Sequence, residues 1–365
     1  MRVGIMVAEK ILILDTTMRE GEQAPNVSFT HEQHLALGRA LSDFGADFIE
    51  ISPIVSEEQM QTTKALVESG LRAEIVAQVR AQRKDIDVVL ETGARWTALF
   101  LSTSDIHIKD KLKTTRENVL EKITDALTYA KSHGLRLRFT CEDASRSDFD
   151  FLLRVCKTAE AAGADRLSIP DTVGVMTPGK MHALIGAIRK EVKTPLDVHC
   201  HNDLGLALAN SLAGVEAGAT CVHVTINGVG ERCGITPLAE VVMALKVLYG
   251  EELRVKTEAL CELSRMVSSF TGVITNPFSP VVGENAFKHK GGTHLAAVLQ
   301  NNTSYEAFSP ESVGNKRALV LGEYSGKNMM RFISEALGMD ASEERLARAV
   351  KKLKTKGRDL FEFEM

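Results

Sequence analysis

Residues 195–203 read PLDVHCHND. The apolar start of this stretch predicts a buried strand, and its polar end carries two histidines. Residues two apart point to the same side of a strand, so His199 and His201 project together, with backbones roughly 6–7 Å apart. Two imidazoles at that spacing can bind one divalent metal, although an isolated H-x-H pattern more often marks two unrelated polar residues.

This strand is the seventh of eight apolar segments that alternate with predicted helices. Glycines after the helical patterns, such as Gly45 and Gly218, mark helix ends that lead into the next strand. Such alternation predicts a parallel sheet, and eight repeats of it predict a closed (β/α)₈ TIM barrel of class α/β. An open doubly wound sheet is the alternative, but no G-x-G-x-x-G motif follows the first strand. The predicted strands cover residues 11–17, 48–52, 73–79, 96–103, 136–142, 166–172, 196–202 and 221–226.

Length and composition limit the classes of protein to consider. The 365 residues suit one barrel, expected over residues 1–250, followed over 251–365 by a linker and a small, mainly helical C-terminal region. The net charge of −4 provides no basic field for binding nucleic acid, and no apolar run reaches the roughly 20 residues that a membrane helix needs. The six cysteines include no C-x-x-C pair, which favours buried free thiols in a reducing cytoplasm.

Polar residues follow the predicted strands at their carboxyl ends, where TIM barrels place their active sites. Strand 1 leads into DTTMREGEQ, residues 15–23, and only strand 8 separates it from strand 7. Glu20 can therefore join His199 and His201 in a three-ligand site with open positions, the arrangement of a catalytic metal. Arg19 beside it would place a permanent positive charge against a developing oxyanion. Taken alone, residues 15–23 are explained equally well as a polar cluster that only caps and closes the loop after strand 1.

Three motifs together resemble those of the DRE-TIM metallolyases, in particular their Claisen-condensing branch of isopropylmalate, homocitrate and citramalate synthases. They are LDTTMREGEQ, HCHNDLGLALAN and NGVGERCGITPL. The resemblance covers at least residues 11–330 and includes VGENAFKHKGGTH (282–294) and VLGEYSGK (320–327), which are similar to the linker after the barrel in that branch. Ile235 stands where the family has asparagine after G-E-R-x-G, and G-I-T-P-L at this place resembles homocitrate synthases.

The resemblance implies condensation of acetyl-CoA with a 2-oxo acid, followed by hydrolysis of the thioester. It implies a divalent metal, Mg²⁺, Mn²⁺ or Zn²⁺, on the carboxylate and two histidines above, with Glu20 where several relatives carry aspartate. Arg19 would polarise the 2-oxo acid, and His294, delivered in relatives from the partner subunit of a homodimer, would transfer protons with Glu142. Without the resemblance, a single histidine in a glycine-rich loop is more simply a polar loop residue. The residues expected to line the substrate pocket are Gln23, Gln78, Arg138, Thr140 and Thr172.

The choice of 2-oxo acid depends on Arg138, which shares the inward side of strand 5 with Glu142. In homocitrate synthases an arginine at this place in R-F-S-S-E-D binds the distal carboxylate of 2-oxoglutarate, and residues 138–143 here read RFTCED. A buried arginine needs an anionic partner, so we expect 2-oxoglutarate first, with oxaloacetate as a variant. An arginine paired with a surface acid of the protein is the alternative.

Other features favour isopropylmalate synthase, the main alternative. Gln78 stands where homocitrate synthases tend to have histidine, Ala98 stands near a position where they have aspartate, and HNDLGLALANSLAGVEAGA is more similar to isopropylmalate synthases. Citramalate and Re-type citrate synthases are further alternatives, and a lyase or aldolase of the same superfamily is the alternative with a different reaction. The leucine-sensing domain that isopropylmalate synthases usually carry needs a longer chain, so we expect none.

Overall fold

The computed structural model describes residues 10–322, 324–336, 338, 342–356 and 361–364. Eight parallel strands, β1 to β8, form a closed barrel in chain order, and β1 completes it by pairing with β8. This arrangement confirms the predicted TIM barrel. The strands are β1 (Leu12–Asp15), β2 (Phe48–Ile51), β3 (Glu74–Arg80), β4 (Trp96–Ser102), β5 (Arg136–Glu142), β6 (Arg166–Asp171), β7 (Leu196–Cys200) and β8 (Ala219–Val224).

A helix follows each barrel strand, and local sequence determines where these helices begin and end. At the start of α1, the Thr30 side chain accepts from the Gln33 backbone and the Gln33 side chain accepts from the Thr30 backbone, a capping box. The helix ends at Gly45, whose φ is 106°, and an added Cβ there would lie 2.4 Å from the backbone oxygen of Arg254. The helices are α1 (His31–Phe44), α2 (Glu57–Glu68), α3 (Arg83–Thr92), α4 (Arg116–Ser132), α5 (Phe149–Ala161), α6 (Pro178–Glu191), α7 (Ala207–Glu216) and α8 (Leu238–Ala244).

A cluster of buried apolar side chains lies among the first strands of the barrel and β8. Phe48 and Trp96 pack edge to face, with ring centres 5.1 Å apart. The guanidinium carbon of Arg138 lies 5.8 Å from the centre of the Phe48 ring, so this arginine borders the apolar cluster. The buried members of the cluster are Leu14, Phe48, Val76, Trp96, Ala98 and Cys221.

The chain divides into two compact units. The first comprises Met1–Lys256 and Leu263–Val273 and holds the barrel, and the second comprises Thr257–Glu262 and Ile274–Met365. The second unit has helices, as predicted, and also a three-stranded sheet that the sequence did not predict, in which β10 pairs parallel with β9 and antiparallel with β11. The remaining elements are α9 (Leu260–Thr271), β9 (Lys288–His289), α10 (Gly292–Gln300), β10 (Ala318–Leu321), α11 (Lys327–Ala336), α12 (Glu343–Lys356) and β11 (Phe361–Glu364).

The cysteines are free thiols, and all except Cys233 are buried, as expected. The Sγ atoms of Cys141 and Cys156 lie 4.0 Å apart. Burial raises the pKa of Cys200 to about 12, so this thiol between the two site histidines stays protonated. None of the helices in the described ranges is both long and apolar enough to cross a membrane.

Candidate metal and substrate site

Three side chains that can bind a metal meet at the carboxyl end of the barrel. His199 lies in β7, His201 follows that strand, and Glu20 lies in the turn after β1. The ligand atoms of all three lie within 4.8 Å of one another. The Nε2 atoms of the histidines are 3.4 Å apart, and each lies 3.9 Å from a different carboxylate oxygen of Glu20. The structure thus brings together the three predicted ligands.

The protonation of these side chains suits a divalent cation. Burial lowers the pKa of His199 well below its ordinary value, and the neighbouring His201 lowers it further. Burial also lowers the pKa of His201, although Glu20 opposes this effect. A neutral imidazole keeps a lone pair for a metal, and the buried carboxylate adds the negative charge that the cation needs. One carboxylate and two neutral imidazoles, with room for further ligands, therefore fit a catalytic divalent metal.

Arg19 lies beside this triad and is held by carboxylates. Its Nε donates to Glu50 Oε1 at 2.8 Å, and its Nη1 donates to Glu20 and, at 3.5 Å, to Gln23 Oε1. Burial alone would lower the pKa of Arg19, but the charges of Glu50 and Glu20 outweigh it and raise the pKa above its ordinary value. Arg19 is therefore a permanent cation at the position predicted for it.

These groups line one cavity of about 320 Å³. Every barrel residue predicted for the site lines it except Arg138. Those residues are Arg19, Glu20, Gln23, Gln78, Thr140, Glu142, Thr172, His199 and His201. The wall also contains residues that were not predicted as site residues, namely Glu50, Phe100, Lys111, Ser168, Pro170, His223, Glu231 and Arg232.

Glu142, at the end of β5, is oriented by a lysine that the sequence did not single out. Lys111 Nζ donates to both of its carboxylate oxygens, at 2.6 and 2.8 Å, and the Ser102 hydroxyl donates to Oε2. Lys111 lies in a single π-helical turn, His107–Lys111, after β4, so no motif links it to Glu142. A second cavity of about 530 Å³ shares Lys111, Glu142 and Phe100 with the first. Glu142 therefore borders both cavities.

Arg138 faces the barrel interior, as predicted, but lies outside the cavity wall. Its side chain is 0% exposed, and its Nη1 donates to Glu50 Oε2 at 3.0 Å. Its Nε lies 3.1 Å from Asp197 Oδ2. The anionic partner that we expected from a substrate, or from a surface acid, is thus supplied by two buried carboxylates of the protein.

A second group of potential metal ligands, Asp197, Cys221 and His223, lies near Arg138. It does not fit a cation, because Arg166 Nε donates to Asp197 Oδ1 at 2.6 Å and Arg138 lies against the other oxygen. Burial also raises the pKa of Cys221, so its sulfur stays a thiol. This group is part of a buried ion-pair network and not a metal site.

His294 lies in α10 of the second compact unit. Its side chain is exposed, and its ring stacks on Tyr305 with ring centres 4.1 Å apart. Tyr305 was not predicted as a site residue, and its phenol is a second group that can donate a proton. The participation of His294 in a barrel site remains a prediction.

Comparison with known proteins extends the resemblance. The HMGL-like family profile matches residues 10–267, and the profile described as "Homocitrate synthase post-HMGL domain-like" matches residues 281–359. The chain is 49% identical to the 2-isopropylmalate synthase of Sulfurisphaera tokodaii over 350 residues, covering 95% of this chain and 91% of the relative. It is 45% identical to the homocitrate synthase AksA of Methanopyrus kandleri over 350 residues, covering 96% of this chain and 88% of the relative.

Solved structures share the barrel. Hydroxymethylglutaryl-CoA lyase from Pseudomonas aeruginosa matches with a TM-score of 0.65 and 22% identity, covering 73% of this chain and 94% of that chain. This likeness concerns the fold, whereas the matches above extend over both compact units at more than 40% identity. The chain therefore belongs to the HMGL-like family and, within the DRE-TIM metallolyases, to the Claisen-condensing branch of the 2-isopropylmalate and homocitrate synthases.

Proposed function

We propose that this chain is an acyltransferase that condenses acetyl-CoA with a 2-oxo acid and hydrolyses the thioester of the product. The observation that carries the proposal is the buried set of Glu20, His199 and His201 beside Arg19, in the cavity that also contains Glu142. Membership of the condensing branch supports the same reaction. A lyase of the superfamily is disfavoured by the match of residues 281–359 to a homocitrate synthase region.

We assign the metal to Glu20, His199 and His201, with Mg²⁺, Mn²⁺ and Zn²⁺ as candidates. A divalent ion bound there would act as a Lewis acid on the carboxylate and ketone oxygens of the 2-oxo acid. Arg19 contributes a fixed positive charge next to these ligands, which stabilises negative charge that develops on the ketone oxygen. Because Glu50 and Glu20 already hold its guanidinium, that charge is oriented before the substrate binds.

Glu142 is the carboxylate best placed to help remove a proton from the acetyl methyl group. It borders both cavities, so a thioester can approach it from one cavity while a 2-oxo acid occupies the other. Loss of the proton gives an enolate whose methylene carbon bonds to the ketone carbon, and the ketone oxygen becomes a hydroxyl by taking a proton. Water then cleaves the thioester to give free CoA thiol and a carboxylate. Lys111 and Ser102 fix the orientation of Glu142 in these proton transfers.

His294 is the second proton-transfer group of the proposal. We propose that it reaches the barrel of a partner subunit in a homodimer, as the resemblance of residues 282–294 implies. The ring of Tyr305, stacked on that of His294, would accompany it. Each complete site would then contain Arg19 and Glu142 from one subunit and His294 from the other.

The 2-oxo acid that this geometry supports best has no second carboxylate, and 2-oxoisovalerate is the first candidate. Arg138 is occupied by Glu50 and Asp197. A distal carboxylate would therefore lose its hydration without gaining an unpaired cation. The three cations in the cavity wall, each paired with a carboxylate of the protein, are Arg19, Lys111 and Arg232.

2-Oxoglutarate is the second candidate, and Lys111 is the observation that favours it. The side chain of this lysine is 48% exposed in the cavity wall, so its ammonium can turn from Glu142 towards a distal carboxylate. Gln78 and Thr140 also line the cavity and can donate hydrogen bonds to such a group.

The release of CoA thiol from acetyl-CoA, measured with 2-oxoisovalerate, 2-oxoglutarate, oxaloacetate and pyruvate, tests this proposal. We expect kcat/KM for 2-oxoisovalerate to exceed that for the two dicarboxylic acids, 2-oxoglutarate and oxaloacetate, by on the order of 10²-fold. The reason is the uncompensated desolvation of a second carboxylate. A highest kcat/KM for 2-oxoglutarate would instead identify a homocitrate synthase. No thiol release with any 2-oxo acid would refute the proposed reaction.

A further inference from the structure

Five side chains of alternating charge extend from Arg19, which is partly exposed, to four buried residues inside the barrel. Glu50 lies between Arg19 and Arg138, and Asp197 lies between Arg138 and Arg166. The side chains of Glu50, Arg138 and Asp197 are 3%, 0% and 0% exposed, so their mutual charges are little screened by water. We call these five residues the charge chain. Only Arg19 and Glu50 among them line the cavity that contains Glu20, His199 and His201.

Glu50 connects Arg19 to Arg138 within the charge chain. Its Oε1 accepts from Arg19 Nε at 2.8 Å and from the Thr16 hydroxyl at 2.9 Å, and its Oε2 accepts from Arg138 Nη1 at 3.0 Å. Burial alone would raise the pKa of Glu50, but the charges of Arg19 and Arg138 outweigh it and lower the pKa to about 2. A rotation of this carboxylate would break contacts with both arginines, so Arg138 restricts the orientation in which Glu50 holds Arg19.

Arg138 is itself held from the opposite side of the barrel. Asp197 lies 3.1 Å from its Nε, and the other Asp197 oxygen accepts from Arg166. If Arg138 moved to reach a substrate carboxylate, Glu50 would keep only the charge of Arg19 and Asp197 only that of Arg166, and a buried carboxylate that loses one of its two arginines is destabilised. Its Nε, although close to Asp197, and its Nη2 have no hydrogen-bond partner among the described residues, so a lysine could keep the charge at this position without those unused donors.

We propose that Arg138 is a positioning residue, which fixes the guanidinium of Arg19 through Glu50 and does not touch the substrate. The inference rests on the proposed function, since it is Arg19 that faces the 2-oxo acid. It predicts that Arg138 affects turnover equally for 2-oxo acids with and without a distal carboxylate. A substrate-binding arginine would discriminate between them.

The test compares Arg138→Met, Arg138→Lys and Glu50→Gln with wild type, using 2-oxoisovalerate and 2-oxoglutarate. We expect Arg138→Met to lower kcat by on the order of 10²-fold with both acids, as small misplacements of catalytic groups do, while KM for acetyl-CoA is unchanged. Arg138→Lys should recover most of the loss. Glu50→Gln should show a similar loss, and adding Arg138→Met to it should cost little more, because both changes break the same connection. Arg136→Met is the matched control, since Arg136 lies on the same strand and stacks on Trp96 outside the charge chain.

Two outcomes would overturn the inference. A loss confined to 2-oxoglutarate would make Arg138 a substrate-binding residue. A fall in melting temperature with unchanged kcat for the folded protein would make it purely structural. If Arg138→Met does not fold, Arg138→Lys and Glu50→Gln carry the same comparison.

A readout that needs no turnover separates this inference from the proposed reaction. The Arg19 Nε–H donates to Glu50 in a buried site, so its NMR signal should shift or disappear in Glu50→Gln and Arg138→Met and persist in Arg136→Met. An unchanged Arg19 signal in both Glu50→Gln and Arg138→Met would overturn the positioning role even if the enzyme condenses 2-oxo acids. A wild type that shows the signal but releases no CoA thiol would instead refute only the proposed function.

Discussion

Dialysis against a strong chelator should abolish the release of CoA thiol, and added Mg²⁺, Mn²⁺ or Zn²⁺ should restore it. The physical reason is that Glu20, His199 and His201 are buried with their ligand atoms converged, and two of them are neutral imidazoles. His201→Ala should retain the fold and lose both metal and activity, because two remaining ligands hold a divalent ion poorly. Loss of a residue that only hydrogen-bonds to a metal ligand typically lowers metal affinity by about 10–100-fold. We therefore expect loss of a ligand itself to lower metal affinity by more than about 100-fold.

Metal content measured directly on the purified protein separates binding from turnover. His182→Ala is the matched control, because His182 is an exposed histidine on α6. It should keep the metal content and rate of wild type. Full activity in chelated protein whose metal content is confirmed to be zero would contradict the metal assignment, and so would a His201→Ala variant with unchanged metal affinity.

Mixing two inactive variants, His294→Ala and Arg19→Ala, should regenerate activity if His294 acts in the partner's site. In a randomly mixed dimer population, half of the dimers are heterodimers, and each has one site with both residues intact. The mixture should therefore reach about a quarter of wild-type activity after the subunits exchange. The measurement is CoA thiol release before and after unfolding and refolding the mixture.

Each variant refolded alone is the control for this experiment and should remain inactive. Analytical ultracentrifugation should show that both variants and the mixture are dimers. A refolded mixture that stays inactive, although both chains fold and dimerise, would place His294 in the site of its own subunit or outside the reaction. A monomeric, fully active wild type would exclude the homodimer altogether.

The strands of the barrel could be predicted because each is an apolar run that ends in polar residues and precedes a helix with clear boundaries. The convergence of Glu20, His199 and His201 could also be predicted, since strand order brings the turn after β1 close to the end of β7. The small sheet of the second unit could not be predicted, because β9 has only two residues and its partner strand, β10, lies far along the chain. Short strands without an apolar pattern depend on tertiary pairing that a sequence does not display.

The direction of the Arg138 side chain could be predicted from the sequence, but its partners could not. Its inward direction followed from strand periodicity, but its partners depend on Glu50 in β2 and Asp197 in β7, and pairings between such distant segments are not readable from local sequence. Lys111 was missed for a related reason. It lies in a π-helical turn after β4, 31 residues from the Glu142 that it holds. Charges that compensate one another across a barrel become visible only when the strands are in place.

Acetyl-CoA labelled with carbon-13 in its methyl group, incubated with the metal-loaded enzyme and 2-oxoisovalerate or 2-oxoglutarate, tests the central claim most directly. Condensation predicts that the labelled carbon becomes a methylene group attached to a tertiary alcohol carbon, with one CoA thiol released for each product molecule. NMR of the product distinguishes this outcome without reference to rates. Labelled acetate as the sole product, or no change in the labelled thioester with either acid, would contradict the assignment of this chain as a condensing acyltransferase.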